Sequence, residues 1–581
     1  MLEQGQFWRN KELREHVAVV DGKIAPTIVF KNSSYLNVYT KSWEKDNIWV
    51  YKDRIVYVGD RLPEKIAESE VVDCTGQYIV PGYIEPHSHP FQLYNPESLA
   101  YFAAKYGTTT LINDNLRLLT LLETEKSFSL IDDLHQLPSS TFWWGRYDLQ
   151  SMMRDEDNVF NTETFSAWME NPSVIQGGEL TSWPQLLEGD DRLLYWLQET
   201  KRMKKRVEGH FPGASENTLT KLKLLGASAD HESITGEEVL RRLRLGYHVT
   251  LRHSSIRPDL PKLLEEIIAS GLDIFDQLTY TMDGPTSTFI EQGLINVCID
   301  IAIKQGVPLI DAYRMATYNV AKYYGLDELI GSIAPGRLAH LNILYDKDDP
   351  TPLSVLAKGD WIIKDGIECT PTTKINWAKY GIDKAEFTWE LSEDDLQFSI
   401  PVGLQMINDV ILKPYPVEID ITAANLGTDN SDAFLLLLDR EGKWRVNTVL
   451  QGFTRELGAI CSTYATTDDI ILIGKRKADM HLAWKRMKEI GGGIVVAHEG
   501  DILFELPLSL SGAMYAGDVE DLIEKEYELK NILIDAGYEY ADPVSNLYFL
   551  SSVHLPYIRV TPRGIIDIMT RETIVPANMR S

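Results

Sequence analysis

Cysteine is scarce in this chain. Its 581 residues hold four, Cys74, Cys298, Cys369 and Cys461, and no two of them form a Cys-x-x-Cys pair. That scatter excludes a disulfide framework and a thiolate zinc site. Positive charge is also short: 57 lysines and arginines stand against 85 acids, a formal net charge of −28. So anionic a surface repels phosphate backbones and acidic lipid, which argues against nucleic-acid and membrane partners. A small uncharged substrate is not repelled. No apolar run is long enough to cross a bilayer, and residues 4–16 are charged where a signal peptide would be apolar. Internal repeats and low-complexity tracts are absent. A soluble, cytoplasmic protein is expected.

The chain is too long for one core, and about two to four domains are expected. Up to residue 24 it reads as a polar helical leader. Residues 25–79 alternate short β-type runs with turns, such as Ile48-Trp49-Val50-Tyr51 and Arg54-Ile55-Val56-Tyr57-Val58-Gly59. From 80 to 337, apolar runs alternate with helical stretches, the pattern of a (β/α)8 TIM-like barrel with a parallel core. The β pattern returns at 338–370, in Leu341-Asn342-Ile343-Leu344-Tyr345 and Asp360-Trp361-Ile362-Ile363. This predicts a small β-domain split by the barrel. Residues 369–393 read as a linker, and 395–581 as a C-terminal α+β domain. The fold class expected is therefore α/β.

A β-strand alternates its side chains, so residues two apart share a side. The run Val80-Pro81-Gly82-Tyr83-Ile84-Glu85-Pro86-His87-Ser88-His89-Pro90 thus ends by presenting His87 and His89 to one point. Imidazole pairs suit zinc, iron or manganese. Barrel enzymes place chemistry at the C-terminal ends of their strands. Most of the remaining candidates follow apolar runs: Glu179, His231 and Asp283 join the set, and so does His210, after the basic-then-Val segment Arg206-Val207-Glu208-Gly209. Each also has a plainer reading: His210 and Asp283 as turn residues, His231 beside a helix start, Glu179 as a surface acid. The ordered co-occurrence of all six favours a metal site, in which four imidazoles and two carboxylates could hold two divalent ions. His135 and His248 are assigned packing roles. Arg252 ends another apolar strand, where an ion pair is the ordinary role for arginine and substrate contact the alternative.

With the Gly107-Thr108-Thr109-Thr110 strand that follows, this pattern resembles the metal-dependent amidohydrolase superfamily, and within it the adenine deaminase family. Further matches are Gly178-Glu179-Leu180, Gly209-His210-Phe211-Pro212-Gly213, Asp230-His231-Glu232-Ser233, Gly331-Ser332-Ile333-Ala334-Pro335-Gly336-Arg337 and Gly492-Gly493-Ile494-Val495-Val496. The resemblance covers about residues 48–575. It implies that His87, His89 and Asp283 serve one metal, His210 and His231 the other, and that Glu179 bridges. Two ions are expected, manganese or iron, with zinc as the alternative. The implied function is hydrolytic deamination of adenine to hypoxanthine and ammonia by a metal-activated hydroxide, in purine base salvage or catabolism. Asp283 is the expected proton shuttle, with Glu179 assisting. A homo-oligomer is expected, with a purine base as the small-molecule partner.

Three segments depart from the family pattern. Members carry His-Ile-His-Ile-Glu-Ser, Asp-Pro-His-Glu and Thr-Asp-Asp where this chain has His87-Ser88-His89-Pro90-Phe91-Gln92, Asp114-Asn115-Leu116-Arg117 and Thr281-Met282-Asp283. These changes leave the substrate-binding residues unassigned. They keep two alternatives open: another aminated heterocycle or cyclic amide on the same site, or a non-catalytic relative. Met282, beside the expected shuttle, is expected to influence rate or substrate preference.

Overall fold

Eight parallel strands, buried along nearly their whole length, form the centre of the molecule. The computed structural model describes residues 9–154, 156–370, 373–398 and 402–580. In it the barrel strands are β1 (Tyr83–Ser88), β2 (Thr108–Asp114), β3 (Ser140–Gly145), β4 (Val174–Leu180), β5 (Arg206–Gly209), β6 (Ala229–Asp230), β7 (His248–Arg252) and β8 (Leu278–Thr281). Each pairs in parallel with the next. The last strand, which the sequence suggests over residues 274–281, is shorter in the structure, because a 3-10 turn at Phe275–Gln277 takes up its first residues.

One buried side chain stitches β8 to β1. Glu85 accepts from Thr281 Oγ1 at 2.7 Å, from the Met282 amide at 2.8 Å and from the His87 amide at 2.8 Å. Its carboxylate thereby links the two strand ends that carry His87 and Asp283, with bonds that a strand ladder would otherwise make.

The β-domain is split as its sequence implies. Nine strands from both sides of the barrel form one sheet. The joining pair is Tyr78–Pro81 against Leu341–Leu344, antiparallel, with Val80 opposite Asn342. Residues 373–382 do not form a free linker. Trp377 donates to Glu97 at 3.2 Å, the Ile375 amide donates to Glu97 at 3.1 Å, and Tyr380 donates to Asp133 at 2.5 Å, holding the segment against the barrel.

The C-terminal region contains a second nine-stranded sheet and a three-stranded sheet, Ile558–Thr561, Gly564–Asp567 and Glu572–Pro576. Its buried Asp395 accepts from Arg580 at 2.7 and 2.8 Å, from Arg445 at 2.5 Å and from Ser392 at 2.8 and 2.9 Å. Burial disfavours the charge, yet Arg580 and Ser392 hold the carboxyl down from 3.8 to about 2. A depressed folded-state value contributes stability above the unfolded value that is lost as pH falls through the folded one. At 1.36 kcal/mol per pKa unit the contribution is about 2 kcal/mol, present above about pH 5 and lost towards pH 2. Asp395→Asn is expected to lose at least this much at pH 7 and to flatten that part of the acid limb. Denaturant midpoints of both proteins across pH 2–7 check it, and two parallel curves would contradict it.

Candidate metal centre

All six side chains expected at the site converge at one end of the barrel. His87, His89 and Glu179 present ligand atoms within 4.8 Å of one another, as do His87, His231 and Asp283, and Glu179, His210 and His231. Glu179 and His231 each belong to two groups, and His87 to two, so the three groups form one continuous donor set. His89 Nε2 lies 2.9 Å from Asp283 Oδ1, and His210 Nδ1 lies 2.6 Å from Glu179 Oε1. His231 Nε2 lies 3.5 Å from that same oxygen and 3.3 Å from His210 Nδ1.

Close backbone approach makes this convergence sterically feasible. A Cβ on Gly178 would come within 2.7 Å of the Glu208 Cβ, so glycine lets β4 bring Glu179 against β5. A Cβ on Gly284 would meet Gln92 at 2.8 Å and the His89 ring at 3.1 Å. Asp283 itself lies at φ 60°, in the left-handed region that Asp and Asn tolerate best among side-chain-bearing residues.

The donor set fits divalent ions. His87 is 2% exposed, and neither ring nitrogen has a hydrogen-bond partner. A buried polar group left unpaired costs about 1–3 kcal/mol. A cation bound between imidazoles and carboxylates, with no thiolate, would satisfy it.

Around the donors runs a layer of ion pairs that orients them. Asp114 accepts from His89 Nδ1 at 2.8 Å and from Arg146 Nε at 2.7 Å, with Arg146 Nη2 on its other oxygen. Burial opposes its charge, but the Arg146 guanidinium and His89 hold it down to about 2. His231 Nδ1 faces Glu208 at 3.1 Å, and Gln150 donates to Glu179 Oε2 at 2.9 Å. Arg252 reaches Asp283 Oδ2 at 2.9 Å and also pairs with Glu232, which Arg257 holds from the other side. Glu232 lies 3.6 Å from both His210 and His231, and these imidazoles together with Arg252 and Arg257 lower its carboxyl against the cost of burial. Imidazoles backed by carboxylates in this way are fixed in tautomer and orientation.

Arg252 lines the cleft and forms these ion pairs. His135 and His248 lie outside the donor set. The His135 ring meets the Thr141 carbonyl at 3.0 Å. His248 stacks on Tyr323 at 3.9 Å, and burial pushes its imidazole down to about 3.

Met282 departs from its expected place. Its side chain is fully buried, 3.5 Å from the Cys298 sulfur, on the far side of the chain from the donors. An aspartate there would enter this buried position beside Cys298 instead of the cleft. The other two departures have partners in the C-terminal region. Gln92 accepts from Tyr464 at 2.5 Å, and Arg117 donates to the Ala465 carbonyl at 2.7 Å and pairs with Asp468.

Sequence reasoning missed Arg146, Gln150, Glu208, Glu232 and Asp114 as supports of the site. Asp114 and Arg146 directly follow apolar strand runs, the same signal that singled out Glu179 and Asp283. His554 lines the cleft from the C-terminal region and had no local signal.

Residues 78–362 match the amidohydrolase family, and residues 409–572 match the adenine deaminase C-terminal domain. A relative from Oceanobacillus iheyensis, named "Putative adenine deaminase", is 54% identical over 100% of both chains. One of the same name from Bacillus subtilis is 50% identical, again over 100% of both. A protein of Thermosipho africanus named "Adenine deaminase" is 26% identical over 97% of this chain and 99% of its own. With this similarity running the full length of the chain, the protein belongs to the adenine deaminase family of the amidohydrolases.

Proposed function

We propose that this protein hydrolyses adenine to hypoxanthine and ammonia, using His87, His89, Glu179, His210, His231 and Asp283 to hold two divalent ions. The observation that carries the reading is the joined donor set with an unpartnered, buried His87 at its centre. Full-length relatives named for adenine deamination support it. His87, His89 and Asp283 would hold one ion and His210 and His231 the other, and Glu179 would serve both. Imidazole and carboxylate donors without thiolate suit manganese or iron. When bound, such ions lower the pKa of water so that a nucleophile exists at neutral pH.

The chain's own groups do the rest. Water adds at C6 of the ring, and the bond from C6 to the exocyclic nitrogen breaks. One proton must leave the attacking water, and one must reach the departing amine. Asp283 is placed for both transfers. Its Oδ1 faces His89, and its Oδ2 is ion-paired with Arg252, whose Nε lies 2.9 Å away. A carboxylate oxygen offers two acceptor positions, so Oδ2 keeps one on which to hold the proton. Arg252 keeps the carboxylate ionised between turnovers and makes its protonated form a strong acid towards the amine. Gln150 donates to Glu179 Oε2 and orients the carboxylate, so that Oε1 faces the His210 and His231 nitrogens with which it would hold an ion. The reaction would belong to purine base salvage or catabolism in the cytoplasm. No helix among the described residues is long and apolar enough to cross a membrane.

The test is a panel of purine and pyrimidine bases assayed for ammonia release, with protein stripped by chelator and then reloaded with manganese, iron or zinc. Adenine is expected to be the preferred substrate, with activity lost on stripping and regained on reloading. Another aminated ring as the sole substrate would favour the altered-substrate alternative. No turnover of any ring by fully loaded protein would favour a non-catalytic relative.

A further inference from the structure

The barrel supplies every donor but not the whole cleft. A narrow cleft lies over the donor set, and three of its lining residues, Tyr548, Phe549 and His554, come from the C-terminal region. Phe549 ends the helix Pro543–Phe549, and His554 sits in the turn that follows. Its ring stands edge-on to His210 at 5.7 Å and to Phe549 at 6.0 Å. His554 Nδ1 is buried and has no hydrogen-bond partner.

The surrounding turn is rigidly built. The Val553 amide donates to the Gln150 carbonyl at 2.9 Å, and Gln150 in turn holds Glu179. Ser551 Oγ meets Thr466 Oγ1 at 2.8 Å. The fully buried Arg559 donates to the Ser552 carbonyl at 3.0 Å and to the Val410 carbonyl at 2.7 Å. A side chain held this way, with an unused polar atom beside the reaction centre, is preorganised for a ligand group. Tyr548 and Phe549 line the same cleft and add aromatic surface beside His554.

We propose that the C-terminal domain reads the substrate, with His554 as a specificity-determining residue that hydrogen-bonds a ring nitrogen of a planar heterocycle held against Tyr548 and Phe549. The proposal rests on the deamination reading only for the choice of adenine as the heterocycle. It gives the C-terminal domain a direct part in recognition and explains why a barrel with all its donors carries a further domain over the cleft.

Adenine and its 1-deaza, 3-deaza and 7-deaza analogues test it, since each analogue lacks one ring nitrogen. Manganese-loaded wild type, His554→Ala and His554→Gln are compared by calorimetric binding and by steady-state kinetics, with metal content measured for each. A lost neutral hydrogen bond is worth roughly tenfold. His554→Ala is expected to bind adenine about tenfold more weakly, mainly through KM, while losing wild type's discrimination against one deaza analogue. His554→Gln is expected to recover part of that discrimination. Metal content should be unchanged. Wild-type behaviour of His554→Ala on all four compounds would overturn the proposal and leave the deamination reading standing. An equal loss on all four together with lost metal would make His554 a structural residue and also overturn it. If wild type binds adenine without turning it over, the deamination reading fails, and the binding contrast still decides the role of His554. Failure of wild type to bind any of the four would overturn both.

Discussion

Replacing His87 or His89 by alanine is expected to remove bound metal and at least about two orders of magnitude of deamination rate. The loss follows from the donor set. His87 belongs to two of the three donor groups, and His89 is held by Asp114 on one nitrogen and faces Asp283 with the other. Removing either imidazole opens a coordination position that no neighbouring group fills, and loss of an ion removes water activation at neutral pH. The same substitution at His135 or His248 is expected to cost only stability, through a lost hydrogen bond to Thr141 or lost stacking on Tyr323. Metal analysis of the purified variants beside an ammonia-release assay separates the two classes. Equal metal and equal rate loss at all four positions would show that the ligand assignment is wrong.

Asp283→Asn is expected to keep the fold and much of the metal while losing about two to four orders of magnitude in turnover, the usual range for a removed acid–base group. The backbone favours this exchange. Position 283 sits at φ 60°, and Asn tolerates that conformation as well as Asp does. An amide oxygen can still face His89, and it cannot take and return a proton near neutral pH. The Arg252 ion pair with Oδ2 is the contact most disturbed, because the amide carries no charge to meet the guanidinium there. Circular dichroism, metal content and kcat measured together check the prediction. A variant with wild-type kcat at matched metal content would remove Asp283 from the chemistry.

Much of this site was legible because its logic is local. The alternation of a strand carried His87 and His89 to one point, and the rule that barrels react at their strand ends placed Glu179, His210, His231 and Asp283. Asp114 and Arg146 obeyed the same rule. They were passed over because their role depends on each other: a lone Asp or Arg after a strand says little until the fold sets β2 beside β3. Met282 was misplaced for a different reason. Its neighbours suggested the site, but the strand ends at Thr281, so alternation does not set its side, and packing against Cys298 does. His554 could not be read at all. Its proximity to His210 depends on how the C-terminal region packs over the barrel, through contacts such as Val553 to Gln150 and Arg117 to Asp468. Periodicity locates residues within an element and is silent about which distant element will cover it.

The most direct measurement is the fate of the oxygen. Metal-loaded protein incubated with adenine in ¹⁸O-water is expected to yield hypoxanthine carrying one ¹⁸O atom at C6 and one ammonia per hypoxanthine formed, with neither product formed after chelation. Intact adenine in the presence of fully loaded protein, or product whose C6 oxygen does not come from water, would contradict hydrolytic deamination at this centre.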